Sequence, residues 1–298
     1  MMPERPAGQN SVVAPAFTVD ENELALVDLA LSEDRGAGDW TTRWIVSARA
    51  RGTASIMAKA DGVIAGLGIA SAVFLRLDPR VEVMTEKSDG RTITAGDVVC
   101  TIRGPVRAIL TGERAALNFL QRLSGIATLT RAYVDVVDGT GAAILDTRKT
   151  TPAFRALEKA AVRAGGGQNH RAGLYDMVLI KENHIAIAGG VAEALRRIKD
   201  ANTKGLRVEV EVRNKEELKL ALESGCDRVL LDNMDVQAMR EAVRLVRKLA
   251  PEVEVEASGN MTLERVRPVA EAGVDFISVG ALTHSAPALD LSLQMDHE

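Results

Sequence analysis

Residues 208–232 read VEVEVRNKEELKLALESGCDRVLLD. Val208 to Val212 and Arg228 to Leu231 are short apolar runs of the strand type, and Lys215 to Ser224 between them has the spacing of an amphipathic helix. A strand, a helix and a second strand in this order form a βαβ unit, which implies a right-handed crossover and a parallel sheet.

The same rhythm extends outward on both sides. Ala142 to Leu145 and Met177 to Ile180 precede the quoted stretch as strands, and Val253 to Glu256 and Asp275 to Val279 follow it. Helical patterns lie near Ala153 to Ala164, Val191 to Lys199, Val236 to Leu249 and Leu263 to Ala272. Such alternation can stay open as a doubly wound sheet or curl into a barrel. Two observations favour the barrel. No GxGxxG turn follows the opening strand. Polar residues also stand just past almost every strand, as in barrel enzymes that build their sites at one end. With six repeats rather than eight, the expectation is an α/β fold with an incomplete six-stranded (β/α) barrel.

The first third reads differently. A helical stretch from Asn22 to Leu31 and another near Ile69 to Leu77 mix with extended segments around Ala54 to Ala60, Val81 to Thr85 and Val98 to Arg103, which indicates a small N-terminal α+β domain. Glu113 to Val137 is helical in pattern, with a break read at Ser124-Gly125. The expected division is a disordered lead-in over 1–19, the α+β domain over 20–113 and the barrel over 114–284. A tail over 285–298 follows, for which a return to the N-terminal domain is one course.

Composition limits the function. The 298 residues carry a formal charge of −4, are 46% hydrophobic and only 3% aromatic. A mildly acidic chain has no general pull on nucleic acid or an anionic membrane, and stacking platforms for single strands are scarce. No stretch is long and apolar enough to span a bilayer. Cys100 and Cys226 stand apart from any CxxC or Cys/His cluster, which fits free thiols in the cytoplasm.

Charge is nevertheless concentrated. Arg148 to Lys181 holds seven basic residues against two acidic ones, a local +5 that leaves −9 elsewhere. Thr147, Arg148 and Lys149 follow the first barrel strand, Lys181 follows the second, and His170 and Arg171 lie in the connection after Gly165 to Gly167. Arginine forks and lysine point charges at strand ends suit carboxylate and phosphate ligands. Arg155, Lys159 and Arg163, at i, i+4 and i+8, read as a solvated helix face. The glycine run reads as a lid or turn, since no P-loop signature follows it. His170 alone reads equally as a structural or a functional histidine.

Glu211 and Asp232 end the third and fourth strands and would project into the same mouth. Such a pair suits Mg²⁺ shared with substrate phosphates, or ion pairs with cations across the barrel. Glu209, two residues earlier, points the same way and fills or polarises the interior. Ser258, Gly259 and Asn260 after the fifth strand, and Gly280 after the sixth, offer backbone N–H groups to a phosphate.

Taken together, Asp146-Thr147-Arg148-Lys149-Thr150-Thr151-Pro152, Gly166-Gly167-Gln168-Asn169-His170-Arg171, Leu179-Ile180-Lys181-Glu182-Asn183-His184-Ile185, Glu209-Val210-Glu211-Val212, Leu230-Leu231-Asp232-Asn233-Met234 and Glu256-Ala257-Ser258-Gly259-Asn260 resemble the quinolinate phosphoribosyltransferase family. The likeness runs in order from about Leu24 to Leu291. It implies transfer of phosphoribose from phosphoribosyl pyrophosphate to quinolinate, with decarboxylation to nicotinate mononucleotide in NAD synthesis. It further implies Mg²⁺ held by Glu211 and Asp232, in part through water and substrate phosphates. By the same likeness Arg148, His170 and Arg171 hold the quinolinate carboxylates, together with Arg114 supplied by the partner of a homodimer or larger assembly. Lys149, Lys181, Glu211 and Asp232 take catalytic or phosphoribosyl-binding roles, and Ser258, Gly259, Asn260 and Gly280 cradle the 5′-phosphate.

Three rival readings share parts of this pattern. A nicotinate phosphoribosyltransferase would take a monocarboxylate, which the clustered arginines disfavour. Lys181 could instead be a Schiff-base lysine of a barrel aldolase. A non-catalytic binding protein would have no use for both carboxylates and all the cations.

Overall fold

The computed structural model describes residues 19–296, so the lead-in expected over 1–19 lies, apart from Val19, outside the described residues. The chain begins with α1 (Glu21–Arg35), α2 (Trp40–Ile45), β1 (Arg51–Ala58), β2 (Gly62–Val63), α3 (Leu67–Leu77), β3 (Glu82–Thr85), β4 (Thr92–Ile93) and β5 (Val98–Pro105). Asp20 starts α1 with a reciprocal cap, its carboxylate accepting the Glu23 N–H while Glu23 accepts the Asp20 N–H, each at 2.9 Å.

The long α4 (Val106–Val137) joins this unit to the next. It is unbroken at Ser124-Gly125, where the sequence suggested a break. The Ser124 hydroxyl pairs with the Ala65 backbone instead, and a Cβ at Gly125 would overlap the Pro287 carbonyl. Glycine is needed there for close approach of the returning chain, and 32 residues of packed helix absorb its poor propensity. Residues 113 and 114 both lie inside this helix.

The second unit runs β6 (Ala143–Leu145), α5 (Arg155–Ala164), β7 (Val178–Ile180), α6 (Glu182–Ala188), α7 (Val191–Ala201), β8 (Val208–Val212), α8 (Lys215–Ser224), β9 (Arg228–Asp232), α9 (Val236–Leu249), β10 (Glu254–Ser258), α10 (Leu263–Ala270), β11 (Phe276–Ser278) and α11 (Ala281–His284). Its six strands are all parallel, in the order β6-β11-β10-β9-β8-β7. The first two in sequence therefore lie at the two open edges. This is the incomplete six-stranded barrel anticipated from the repeat, and the connection between β6 and β7 lines its open seam: Gln168 donates to Ile144 O at 2.8 Å and accepts from the Asp146 N–H at 3.2 Å.

The last strand, β12 (Leu291–Met295), pairs antiparallel with β1, giving the N-terminal sheet the order β12-β1-β5-β3. The C-terminal segment thus returns to the first unit. Among the described residues no helix is long and apolar enough to cross a membrane. Cys100 and Cys226 are free thiols, and burial pushes both up to about 12, which leaves them unreactive.

Candidate active site

The C-terminal ends of the barrel strands open into one cavity of about 540 Å³. Thr147, Arg148 and Lys149 reach it from the end of β6, Lys181 from β7, Glu211 from β8, Asp232 from β9, Ser258, Gly259 and Asn260 from β10, and Gly280 from β11. His170 and Arg171 enter from the seam connection. The structure thus gathers every candidate named from the sequence except Arg114, which is exposed on α4 and does not line this cavity. Parallel strands explain the convergence, because residues just past each strand all emerge at the same end.

Sequence reasoning missed Asn233, Glu256 and Ser278, which also line the cavity. Asn233 and Asn260 both take the left-handed conformation, with φ of 53° and 50°. Between them Gly259 lies at φ 99°, and a Cβ there would overlap the Asn233 side chain. The Arg265 guanidinium pins the two loops by donating to Gly259 O at 3.0 Å and Met234 O at 2.8 Å.

At the mouth, Lys181 Nζ stands 3.8 Å from Glu211 Oε2. Burial raises the Glu211 carboxyl above its ordinary range, Lys181 opposes this, and the nearby Asp232 charge adds to it. Two carboxylates close enough to repel each other form an oxygen-donor set suited to a hard divalent cation.

Beside the end of β6, a buried pair supports the seam. Lys159 Nζ donates to Asp146 and to the His170 carbonyl, the latter at 2.8 Å, while Asp146 also accepts from Asn169 and from the His170 N–H. Lys159 is only 4% exposed, which corrects the solvated-face reading. Arg155 donates to Ala172 O at 3.0 Å, and Arg163 reaches the Asn169 side chain. Lys159 alone of the three is buried, with Arg155 half-buried and Arg163 exposed, so the solvated-face reading holds for Arg163 even though its side chain also touches the connection that carries His170 and Arg171. The glycine run forms a turn on α4, with Arg131 Nε donating to Gly165 O at 2.9 Å.

Beneath the mouth, the His170 ring lies 3.0 Å from Glu209 and 3.5 Å from Glu256, both carboxylates fully sealed from solvent. Arg228 donates to Glu256 at 3.0 Å from below and rests over the Phe276 ring at 4.1 Å. Burial, reinforced by the Glu209 charge, raises Glu256 to about 7. Burial also lowers His170, favouring the neutral ring.

Residues 39–124 match the N-terminal domain, and residues 126–294 the C-terminal domain, of quinolinate phosphoribosyl transferase. The chain belongs to the quinolinate phosphoribosyltransferase family. The division between its two family domains falls at Gly125, within α4. The Synechocystis protein described as a probable carboxylating nicotinate-nucleotide pyrophosphorylase is 44% identical over 89% of this chain and 90% of its own length. Quinolinate phosphoribosyltransferase [decarboxylating] 1b of Nicotiana tabacum is 40% identical, covering 98% of this chain and 87% of its own. The solved nicotinate-nucleotide pyrophosphorylase from Francisella tularensis superposes with a TM-score of 0.89 at 40% identity, over 94% of this chain and 98% of that one. As a quinolinate phosphoribosyltransferase, the chain is a pentosyltransferase that joins quinolinate to a phosphoribosyl group with loss of CO₂, a step of NAD synthesis.

Proposed function

We propose that the strand-end cavity is where this quinolinate phosphoribosyltransferase carries out its reaction, with phosphoribosyl pyrophosphate as donor. The observation that carries this assignment is the convergence of Arg148, Lys149, Arg171 and Lys181 with Glu211 and Asp232 in a single cavity. Quinolinate is a flat pyridine 2,3-dicarboxylate. Arg148 and Arg171, with His170 beside them, face its carboxylates, and Arg114, exposed on α4, completes the set from the partner of a homodimer. Ser258, Gly259, Asn260 and Gly280 provide small groups and backbone N–H donors for the 5′-phosphate.

Glu211 and Asp232 are the residues that would hold Mg²⁺, whose chemistry there is to neutralise the pyrophosphate leaving group. Lys149 and Lys181 add fixed positive charge on the same side. As the C1–pyrophosphate bond breaks, the ribose gains oxocarbenium character, and the carboxylates of Glu211 and Asp232 stabilise it across the sugar. The pyridine nitrogen then forms the new bond to C1. The adjacent pyridinium charge stabilises the electron pair left on C2 when the carboxylate leaves as CO₂, and that pair then takes up a proton.

Turnover with quinolinate, phosphoribosyl pyrophosphate and Mg²⁺ should yield CO₂ and nicotinate mononucleotide in equal amounts. Release of CO₂ from quinolinate without the phosphoribosyl donor would overturn the order of steps. Arg171→Ala should raise the KM for quinolinate by about 10- to 100-fold, the scale of a lost charge-assisted hydrogen bond, and that for the donor by less than about twofold. Equal losses for the two substrates would remove Arg171 from the carboxylate site.

A further inference from the structure

His170 lines the cavity, yet neither of its ring nitrogens is free for a ligand. Nδ1 accepts the Arg171 backbone N–H at 2.7 Å, so Nδ1 carries no proton. The ring proton therefore sits on Nε2, 3.0 Å from Glu209 Oε2 and 3.5 Å from Glu256 Oε2. Glu256 is anchored in turn, one oxygen accepting from Arg228 Nη1 at 3.0 Å and the other from Ser278 Oγ at 2.5 Å. The side chains of Glu209 and Glu256 are 0% exposed and that of His170 7%. This is a packed network inside the barrel, one residue away from a cavity-lining arginine.

Arg171 is held at two points. Its backbone N–H is fixed by the His170 ring, and its Nη1 donates to Met177 O at 3.1 Å. The remaining guanidinium N–H groups are those available to a carboxylate.

We propose that Glu209, backed by Glu256 and Arg228, is a positioning residue for the carboxylate subsite: it fixes His170 as the Nε2–H tautomer, whose bare Nδ1 holds the Arg171 main chain and aims the guanidinium into the cavity. His170 then contributes orientation rather than a hydrogen bond to quinolinate. His170, Glu209 and Glu256 lie within 4.8 Å of one another, as metal ligands would. Yet both His170 nitrogens and both Glu256 oxygens already have partners, and Glu209 Oε1 is the one oxygen of the three side chains without one. A single free oxygen does not make a metal site.

The test uses the full chain labelled with ¹⁵N-histidine. The sequence has four histidines, and the His170 signals are those absent from His170→Gln. At neutral pH the wild-type spectrum should show a protonated Nε2 and a bare Nδ1. An imidazolium, or a proton on Nδ1, overturns the proposal, as does a stoichiometric metal in the purified enzyme that Glu209→Leu abolishes. In steady state, Glu209→Leu should raise the quinolinate KM about tenfold or more, with kcat and the donor KM within about threefold, and Glu209→Gln, which keeps an acceptor for Nε2–H, should recover most of the loss. A loss in kcat alone, or no recovery with glutamine, would count against positioning.

If Glu209→Leu does not fold, the wild-type spectrum and Glu209→Gln still decide the point. The kinetic arm rests on the role given to Arg171, whereas the tautomer does not. A wrong assignment of Arg171 therefore appears in Arg171→Ala, and a wrong positioning role appears in the ring spectrum.

Discussion

At the barrel mouth, Glu211 faces Lys181 across 3.8 Å, with both side chains in reach of water. Two residues deeper along β8, Glu209 meets His170 at 3.0 Å with no exposure at all. The period of two along a strand places both carboxylates on the interior side, yet depth gives them different uses. Near the opening, incompletely paired charge is tolerable because solvent or a ligand can answer it. In the interior, polar atoms are nearly all hydrogen-bonded, since an unpaired buried charge costs several kcal/mol. The mouth is thus arranged to receive charge from outside, and the interior to hold the mouth in place.

Breaking the interior should give the largest effect. Lys159→Ala leaves the Asp146 carboxylate buried without its cation, and loss of one member of such a pair costs about 3 to 5 kcal/mol. Urea unfolding should show that loss together with lower activity, because the same lysine holds the His170 carbonyl. A cost below about 1 kcal/mol would mean that the pair is not the support for the seam.

Altering the mouth should do the reverse. Glu211→Gln should lower kcat by about 100-fold or more, the scale seen when one stabilising group is removed from a transition state. Its thermal midpoint should stay within about 3 °C of wild type, as a half-buried residue with one long ion pair contributes little to folding. If Glu211→Gln unfolds the chain while Lys159→Ala only slows it, the contrast between the two levels is wrong.

Much of this arrangement was legible in the sequence. The strand–helix repeat from Ala142 onward gave the parallel sheet, and a parallel sheet sends every strand-end residue to the same face, so the mouth residues could be named in advance. Lys159 could not be placed because spacing at i, i+4 and i+8 says which side chains share a helix face, and not what that face meets. Glu256 was within reach of the same strand periodicity that flagged Glu209, since it lies two residues before Ser258. Other features depend on contacts distant in sequence. The pairing of β12 with β1, and the Pro287 carbonyl that keeps Gly125 within a continuous helix, have no local signal.

The smallest expected effect separates the two levels by pH. Glu256 ionises at about 7 in the folded chain, against an ordinary value of 4.5, because burial and the neighbouring Glu209 charge disfavour its anion while His170, Ser278 and Arg228 only partly offset them. Between these values the folded chain keeps a proton that the unfolded chain gives up, so unfolding releases a proton and stability falls as pH rises. The contribution is fully present below about pH 4.5, is lost progressively towards pH 7, and changes no further above it. In Glu256→Gln the side chain has no proton to lose. Its thermal midpoint should lie close to wild type at low pH, where the folded Glu256 carboxyl is itself neutral, and should rise above wild type by about a few degrees as pH approaches 7, because only wild type loses the linked stability. Thermal midpoints of both proteins across that range test this, and profiles that run parallel would show that the interior carboxylates hold no such proton.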